Sequence, residues 1–271
     1  NKMKYSIVVN TCDSYSDCWE PFFKLFSVFW KDCKGKIFLN TEYNDYSFPG
    51  LDITPTKVCE KRNFPKDKRM PWSLCLKDAI TQTNSDIVLY MQEDYFLKAP
   101  VQNQLVEDFV QFMEEHPEVK CLHVLNWQGY GTEESPYKGF KQIPVGHPYR
   151  MSCQAALWRK EELLEILADN ESGWDTEKFA SRRSSRLGHI YLAVDPTWII
   201  EDCYEIIPYI YTGIEGGKWD CRNIYKMDCL FKKYGIKIDF QERGISKPVP
   251  FLKRVKNRLR IWKREFNMRN A

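Results

Sequence analysis

Residues 86–97 read DIVLYMQEDYFL: an unbroken run of five apolar or aromatic residues, then Gln92, Glu93 and Asp94, then Tyr95, Phe96 and Leu97. A short continuous apolar run of this kind reads as a strand buried on both faces, as in a parallel sheet. In an open α/β sheet, ligands bind beyond the carboxyl ends of the strands. The run therefore predicts a central strand that delivers two carboxylates to a ligand-facing edge. Carboxylates there can hold Mg²⁺ or Mn²⁺, hard ions that take oxygen ligands and share their coordination with a diphosphate. An exposed acid pair at a strand end, common in soluble proteins, is the plainer alternative.

On both sides of this run the pattern alternates. Residues 4–10, with YSIVVN, read as a buried strand, and EPFFKLFSVFWKDC (20–33) has apolar residues at helical spacing. KIFLNTE (36–42) and, more weakly, ITPTKVCE (53–60) read as strands, and WSLCLKDAITQT (72–83) as a helix. VQNQLVEDFVQFMEEH (101–116) is an amphipathic helix stopped by Pro117, and VKCLHVLN (119–126) is a further strand. Strand and helix in alternation predict a mostly parallel sheet with helices on both faces. Residues 127–150 hold Gly, Pro and aromatics and read as a long functional loop. MSCQAALW (151–158) reads as a strand, and KEELLEILADN (160–170) and GWDTEKFASRRS (173–184) as helices. IIPYIYTGIEGGKW (206–219) reads as a short strand with a Gly-rich turn, and IYKMDCLFKKYG (224–235) as a helix before IKIDF. With no internal repeat or low-complexity linker, the chain is expected to form one domain in two lobes: residues 1–126, residues 127–246, and a tail from 247 to 271.

The 271 residues are 43 % hydrophobic and 28 % charged, which excludes disorder, collagen and coiled coil. Aromatics reach 15 %, surface that suits sugar or base stacking as well as core filling. No stretch approaches the roughly eighteen apolar residues of a membrane span, and no secretory signal is expected ahead of the first strand pattern. The ten cysteines never form CxxC. They are expected to be buried thiols in a reducing compartment, the cytoplasm, and not a zinc site or disulfide frame.

Net charge is +3, unevenly placed: from Lys247 onward there are nine Lys/Arg and one Glu, so the tail carries +8 and the rest 3 − 8 = −5. Phe251 or Leu252, Val255, Leu259, Trp262 and Phe266 recur every three to four residues within it. That is a basic amphipathic helix, suited to an anionic membrane surface or to docking on the protein's own body. Nucleic acid is not an expected partner, since the body is acidic and no nucleic-acid fold signature appears.

Four segments in chain order resemble the GT-A fold nucleotide-sugar-dependent glycosyltransferases, in particular bacterial surface-polysaccharide enzymes. YSIVVNTCDSY (5–15) is similar to the first strand and nucleotide-binding loop, and WSLCLKDAITQTNSDIVLYMQEDYF (72–96) to the helix and strand leading to the Asp-x-Asp motif. RMSCQAALWRKEELLEIL (150–167) resembles the acceptor-side strand and helix, and SGWDTEKFASRRS (172–184) the helix start that carries a catalytic acid in inverting members. Together they span about residues 4–185. Where the motif expects a first Asp, this chain has Gln92, so Asp94 carries most of the metal binding the resemblance implies, with Glu93 as helper. The resemblance likewise implies a nucleotide loop at Thr11 and Asp13, the latter accepting a hydrogen bond from base or ribose.

When a sugar leaves a nucleoside diphosphate, negative charge builds on the phosphate, and a cation or cationic side chains must stabilise it. Lys61, Arg62, Lys68 and Arg69 lie in one loop and suit phosphate, although a solvated basic loop explains each of them alone. Trp72 stacks on the base or caps the next helix. Inversion needs a general base for the acceptor hydroxyl. Glu177, and after it Asp175, fit a helix N-terminus where the dipole keeps a carboxylate ionised, and ordinary capping fits Asp175 too. Trp174 is a candidate sugar platform and Gln154 a candidate acceptor ligand. Lys218 follows a Gly-rich turn suited to a diphosphate. His147 is a candidate third metal ligand or an ordinary polar residue. No P-loop, GxGxxG or Ser-His-Asp pattern is present.

The expected activity is a hexosyltransferase-like transfer from a nucleotide diphosphate sugar to a lipid-linked or surface glycan, inverting, with the tail on the inner membrane face. A retaining transferase on the same fold and a non-catalytic glycan- or nucleotide-binding assembly partner remain as alternatives. A nucleotidyltransferase is more remote, because no Gly-rich loop with a basic ending follows the first strand.

Overall fold

The computed structural model describes residues 4–125 and 133–248. The chain divides into two compact units, Asn1–Tyr209 and Ile210–Ala271.

The first unit is built on one nine-stranded sheet. Its strands are β1 (Ser6–Asn10), β2 (Lys36–Asn40), β3 (Ile53–Pro55), β4 (Ile87–Gln92), β5 (Val119–His123), β6 (Glu133–Glu134), β7 (Phe140–Gln142), β8 (Ala156–Arg159) and β9 (Ile190–Val194). Their order is β3-β2-β1-β4-β8-β5-β9-β7-β6. β3, β2, β1 and β4 are parallel neighbours, as are β5 and β9, while β8 runs against β4 and β5 and β7 against β9. This is the α/β class with a mostly parallel sheet that the alternation predicts. The strongest run, β4, lies at the centre, and its residues Ile87 to Met91 are almost fully buried. Strands from both expected lobes, 1–126 and 127–246, hydrogen-bond within this one sheet.

The helices follow their apolar stripes. They are α1 (Trp19–Phe29), α2 (Val58–Lys61), α3 (Trp72–Thr81), α4 (Asn103–Glu115), α5 (Lys160–Ile166) and α6 (Gly173–Leu187). α3 buries Cys75, Leu76, Ala79 and Ile80 in a core shared with Val8, Val88, Tyr90 and Trp158. The second unit holds the hairpin of β10 (Ile214–Glu215) and β11 (Lys218–Trp219), with α7 (Ile224–Lys233) and α8 (Phe240–Arg243). Trp219, Phe231 and Phe240 pack together as its aromatic core.

Several expectations need correction. ITPTKVCE is strand only to Pro55; Val58 begins α2, entered through Lys57 in the left-handed region at φ 49°. The long loop holds two short strands, β6 and β7, which add to the sheet beside β9. β9 itself escapes the periodicity reading, because IYLAV is brief and sits directly behind a helix ending at Gly188. MSCQAALW is strand only from Ala156, since residues 151–155 spend their backbone groups on other partners. Five cysteines are buried, but Cys203 and Cys229 are exposed, on a turn and on the outer face of α7. The amphipathic tail lies outside the described residues, apart from Lys247 and Pro248.

At the end of β5, burial pushes the His123 imidazole down to about 3. The unfolded chain, with a value near 6.5, therefore binds one more proton between those limits. Stability held above pH 6.5 is lost as pH falls towards 3, at up to about 1.4 kcal/mol per pH unit for this one group. His123→Phe is expected to flatten the pH dependence of the urea midpoint between pH 7 and 4.5. An unchanged slope would show that His123 is not the group responsible.

Candidate active site at the carboxyl ends of the central strands

The ends of β2, β1 and β4 are in register, Asn40 opposite Asn10 and Asn10 opposite Gln92. Their side chains form a buried polar row. Thr56 Oγ1 donates to Asn40 Oδ1 (3.1 Å), Asn40 Nδ2 to Asn10 Oδ1 (2.7 Å), and Asn10 Nδ2 to Tyr90 Oη (3.2 Å). Gln92 Nε2 donates to the same Tyr90 oxygen at 2.8 Å. Buried polar groups must be paired, so this row fixes the strand ends relative to each other.

The loops beyond are tied as tightly. The Asp13 carboxylate accepts the amides of Glu42, Tyr43 and Asn44 at 2.9, 2.8 and 3.1 Å, while the Asp13 amide donates to Glu42 Oε2 at 3.1 Å. Asp13 thus joins the loops after β1 and β2. Thr11 Oγ1 accepts from Trp19 Nε1 at 3.0 Å. Burial, the largest cause, pushes up the Cys12 thiol; Glu93 and Glu42 add to it, and the Ser14 hydroxyl and Arg69 oppose it. Cys12 thus lies within electrostatic reach of Glu93, Glu42 and Arg69.

β4 ends in a turn closed by the Tyr95 amide on Gln92 O at 3.1 Å. Glu93 and Asp94 are only 9 % and 4 % exposed, so this is not the exposed acid pair of the plainer reading. Tyr95 Oη donates to the Cys153 carbonyl, and the Cys153 amide donates to Glu177 Oε1 at 2.8 Å. One residue, Cys153, therefore holds the acidic strand end and the α6 carboxylate together. Beside it, Tyr209 stacks on Tyr95 with centroids 4.5 Å apart, donates to Gln154 Oε1 at 2.8 Å and accepts the Ala155 amide at 3.1 Å.

The start of α6 separates the two candidate bases. Ser172 is the N-cap: its Oγ accepts the Asp175 amide at 3.2 Å and lies 2.7 Å from Asp175 Oδ2. Asp175 is therefore part of the cap and exposed. Glu177 lies two residues further along and half-buried. Burial, more than any other cause, raises its carboxyl above the ordinary range, against the hydrogen bond from the Cys153 amide. Desolvation therefore outweighs the helix dipole expected to keep it ionised. Trp72, at the start of α3, packs its indole over Gly173, where an added Cβ would come within 3.3 Å of the ring. Ser73 and Glu171 exchange hydrogen bonds at 3.1 and 2.9 Å, joining the starts of α3 and α6. Trp174 stands 76 % exposed beside them.

The basic loop divides. Arg62 is engaged bidentately by Asp78 of α3, with Nη2 to Oδ1 at 2.8 Å, and Lys61 binds Gln82. Lys68 and Arg69 are exposed. Lys218 belongs to the second unit, exposed on β11 behind Gly216 and Gly217, whose φ values of 59° and 78° make the turn. His147 Nδ1 accepts the Tyr149 amide at 3.2 Å. Among the described residues no three His, Cys, Asp or Glu side chains converge as a metal cluster. Glu93 and Asp94 still give two hard oxygen donors on one turn, which suits a divalent ion that completes its coordination with diphosphate and water.

No protein-family model matches the sequence, and no curated protein matches it. Solved structures similar to the chain include S. aureus TarS 1–349 in complex with UDP-GlcNAc, at 14 % identity and TM-score 0.46, covering 89 % of this chain and 69 % of that one. A mycobacterial protein matches at 12 % identity and TM-score 0.45, over 87 % of this chain and 76 % of that one. A Drosophila beta-1,4-galactosyltransferase 7 mutant in complex with manganese, UDP-Gal and xylobiose matches at 12 % identity and TM-score 0.40, over 90 % and 81 %.

Proposed function

We propose that the chain is a glycosyltransferase that moves a sugar from a nucleotide diphosphate sugar to a hydroxyl of a lipid-linked or surface glycan, with inversion. The observation that carries this reading is the Cys153 peptide, which joins the acidic end of β4 to Glu177 through Tyr95. In this reading a leaving-group site and the base share one edge of the sheet.

In this reading Thr11, Asp13 and the loop they shape receive the nucleoside, with Trp72 against the base. Arg69 and Lys68 are free to meet phosphate, whereas Arg62 would first have to leave Asp78. Asp94 and Glu93 would hold Mn²⁺ or Mg²⁺, which supplies Lewis-acid stabilisation of charge on the departing diphosphate. Glu177 takes the proton of the acceptor hydroxyl as its oxygen bonds to the sugar carbon, and the electron pair of the broken bond leaves with the diphosphate. A base with a raised pKa is better matched to neutral pH than an ordinary carboxylate. Gln154 and Trp174 bind the acceptor, and Asp175 holds the helix start. The basic tail places the protein on the inner membrane face.

The test is release of nucleoside diphosphate from UDP-, GDP-, CDP- and dTDP-sugars, with thermal shift by the same panel, since a ligand of the folded state raises the midpoint. Asp94→Ala is expected to lower turnover by roughly a hundredfold or more, the scale of losing one electrostatic stabiliser. Wild-type turnover in that variant would defeat the assignment.

A second reading, a non-catalytic glycan- or nucleotide-binding partner, is favoured by Gln92. It stands where the resemblance expects a carboxylate, and its amide nitrogen is committed to Tyr90. Calorimetry with nucleoside diphosphates, with and without Mn²⁺, separates the readings: binding with no turnover on any acceptor supports this one.

A further inference from the structure

Six large hydrophobic side chains are exposed among the described residues, and three of them, Trp198, Ile200 and Tyr204, fall within one seven-residue stretch, at 51 %, 59 % and 47 % exposure. Their clustering follows from the backbone. Ile200 and Tyr204 form an antiparallel bridge with reciprocal hydrogen bonds of 2.9 and 2.7 Å, so their side chains share a face. Ile199 is extended (φ −117°, ψ 124°) and buried, whereas Trp198 and Ile200 on either side of it are exposed.

The stretch is held rigidly. The Trp198 ring lies against Gly139, where a Cβ would come within 2.6 Å of the ring. Gly139 also has φ +88°, so no other residue fits there without strain. Lys98 Nζ holds Asp202 and the buried Glu205 at 2.7 and 3.0 Å. The indole thus packs against Gly139 and remains half exposed.

We propose that Trp198, Ile200 and Tyr204 form a platform on which a pyranose ring of the acceptor glycan stacks, outside the site that holds the donor. Size decides against a protein partner. Aromatic side chains bury about 150–250 Å² each when fully covered, so three half-exposed side chains offer on the order of 300 Å². A stable protein interface needs about 800 Å² on each side. A flat aromatic face with polar side chains next to it in the chain, here Thr197 and Glu201, suits a sugar, which has an apolar ring face and a polar edge. The chain also runs from the platform to the candidate site. After Glu205 the chain pairs with Gln102 and Lys98 through the carbonyls of Ile206 and Pro208, and then delivers Tyr209 onto Tyr95. From Tyr204 to Tyr209 an extended chain spans at most about 17 Å, a reach of a few sugar residues. That the bound glycan is an acceptor rests on the transferase reading; that the platform binds sugar does not.

The test titrates the full chain with maltotetraose, cellotetraose, chitotetraose and a mannotetraose, following tryptophan fluorescence and heat. At least one is expected to bind, with affinity falling tenfold or more in Trp198→Ala and in Tyr204→Ala and within about threefold of wild type in Trp198→Phe. The thermal shift given by nucleoside diphosphates is expected to be the same in all of these variants, which also reports that they fold. Binding of none of the four, or equal binding by wild type and both alanine variants, overturns the proposal. Glycan binding that depends on Trp198, with no shift by any nucleoside diphosphate, would keep the platform and remove the transferase reading.

Discussion

Glu177→Gln lowers the rate of sugar transfer by about two to four orders of magnitude, the usual contribution of a positioned general base, and leaves the unfolding midpoint unchanged or raised. The two halves of this expectation come from the same contacts. Glutamine keeps an oxygen that can accept the Cys153 amide, now at 2.8 Å from Glu177 Oε1, so the hold on residue 153 survives. It removes a carboxylate that burial has pushed above its ordinary range. A carboxyl whose folded value is raised binds its proton more tightly in the folded state than in the unfolded chain. It therefore favours folding below the unfolded value and loses that contribution as pH rises through the folded one. At neutral pH the ionised Glu177 is a cost to stability, and replacing it relieves that cost. A residue kept for structure would show the opposite pairing, with activity retained and stability lost. The pH profile gives a further readout: the acid limb of kcat in wild type reports protonation of the base and should vanish from the residual activity of the variant. Transfer at the wild-type rate would remove Glu177 as the base and leave the retaining mechanism, which the anomeric configuration of the product identifies.

Local pattern made part of this site legible. The apolar run of β4 and the acids behind it are contiguous, so strand, burial and acidic end were all readable from residues 86–97. The cap at α6 was also local, although Ser172 and not Asp175 is its N-cap residue. What pattern could not supply is any role fixed by a distant partner. Asp13 was readable as a residue after the first strand, but the amides it binds come from residues 42–44. Arg62 looked like its basic neighbours, and only the fold shows that Asp78 of α3 occupies it. Glu177 differs from Asp175 by two positions in sequence and by burial in space, because the Cys153 peptide closes over one and water covers the other. Tyr90, Tyr209 and the Asn10–Asn40 pair carried no signal: an apolar strand residue and two strand-end asparagines form one hydrogen-bonded row only when β2, β1 and β4 align, and a loop tyrosine meets Gln154 and Ala155 only in the fold. The helix dipole argument fails for Glu177 because desolvation is the larger effect there.

Arg150→Met is expected to destabilise the protein by about 3–5 kcal/mol, the cost of breaking one side of a buried charge network. Arg150 is fully buried. Its Nη1 donates to the Ile143 carbonyl at 2.8 Å, its Nη2 donates to the His189 carbonyl, and its guanidinium lies 4.1 Å from the centre of the Tyr191 ring. Burial pulls its pKa down from the usual arginine value, with Tyr191, Cys121 and Glu162 pulling the other way. The compensating charge is Glu162, buried on α5, which accepts the Tyr191 hydroxyl at 2.8 Å and the His189 ring at 2.7 Å. Methionine fills similar volume but leaves two buried carbonyls without a donor and Glu162 short of positive charge. If that account holds, Glu162→Gln should cost less in the Arg150→Met background than alone, with a coupling of about 0.5–3 kcal/mol in a double-mutant cycle by urea unfolding. Additive costs, or a single-variant loss under about 1 kcal/mol, would show that the network is not what holds Arg150 in place. The consequence reaches the site through the backbone. Arg150 clasps residues 143–150 into a closed loop, and the next residue, Met151, exchanges hydrogen bonds of 3.0 Å with Ser181 of α6 in both directions. Two residues later comes Cys153, between Tyr95 and Glu177. The clasp therefore positions the peptide that joins the acidic strand end to the base, and its loss should lower transfer beyond what the fraction of folded protein explains.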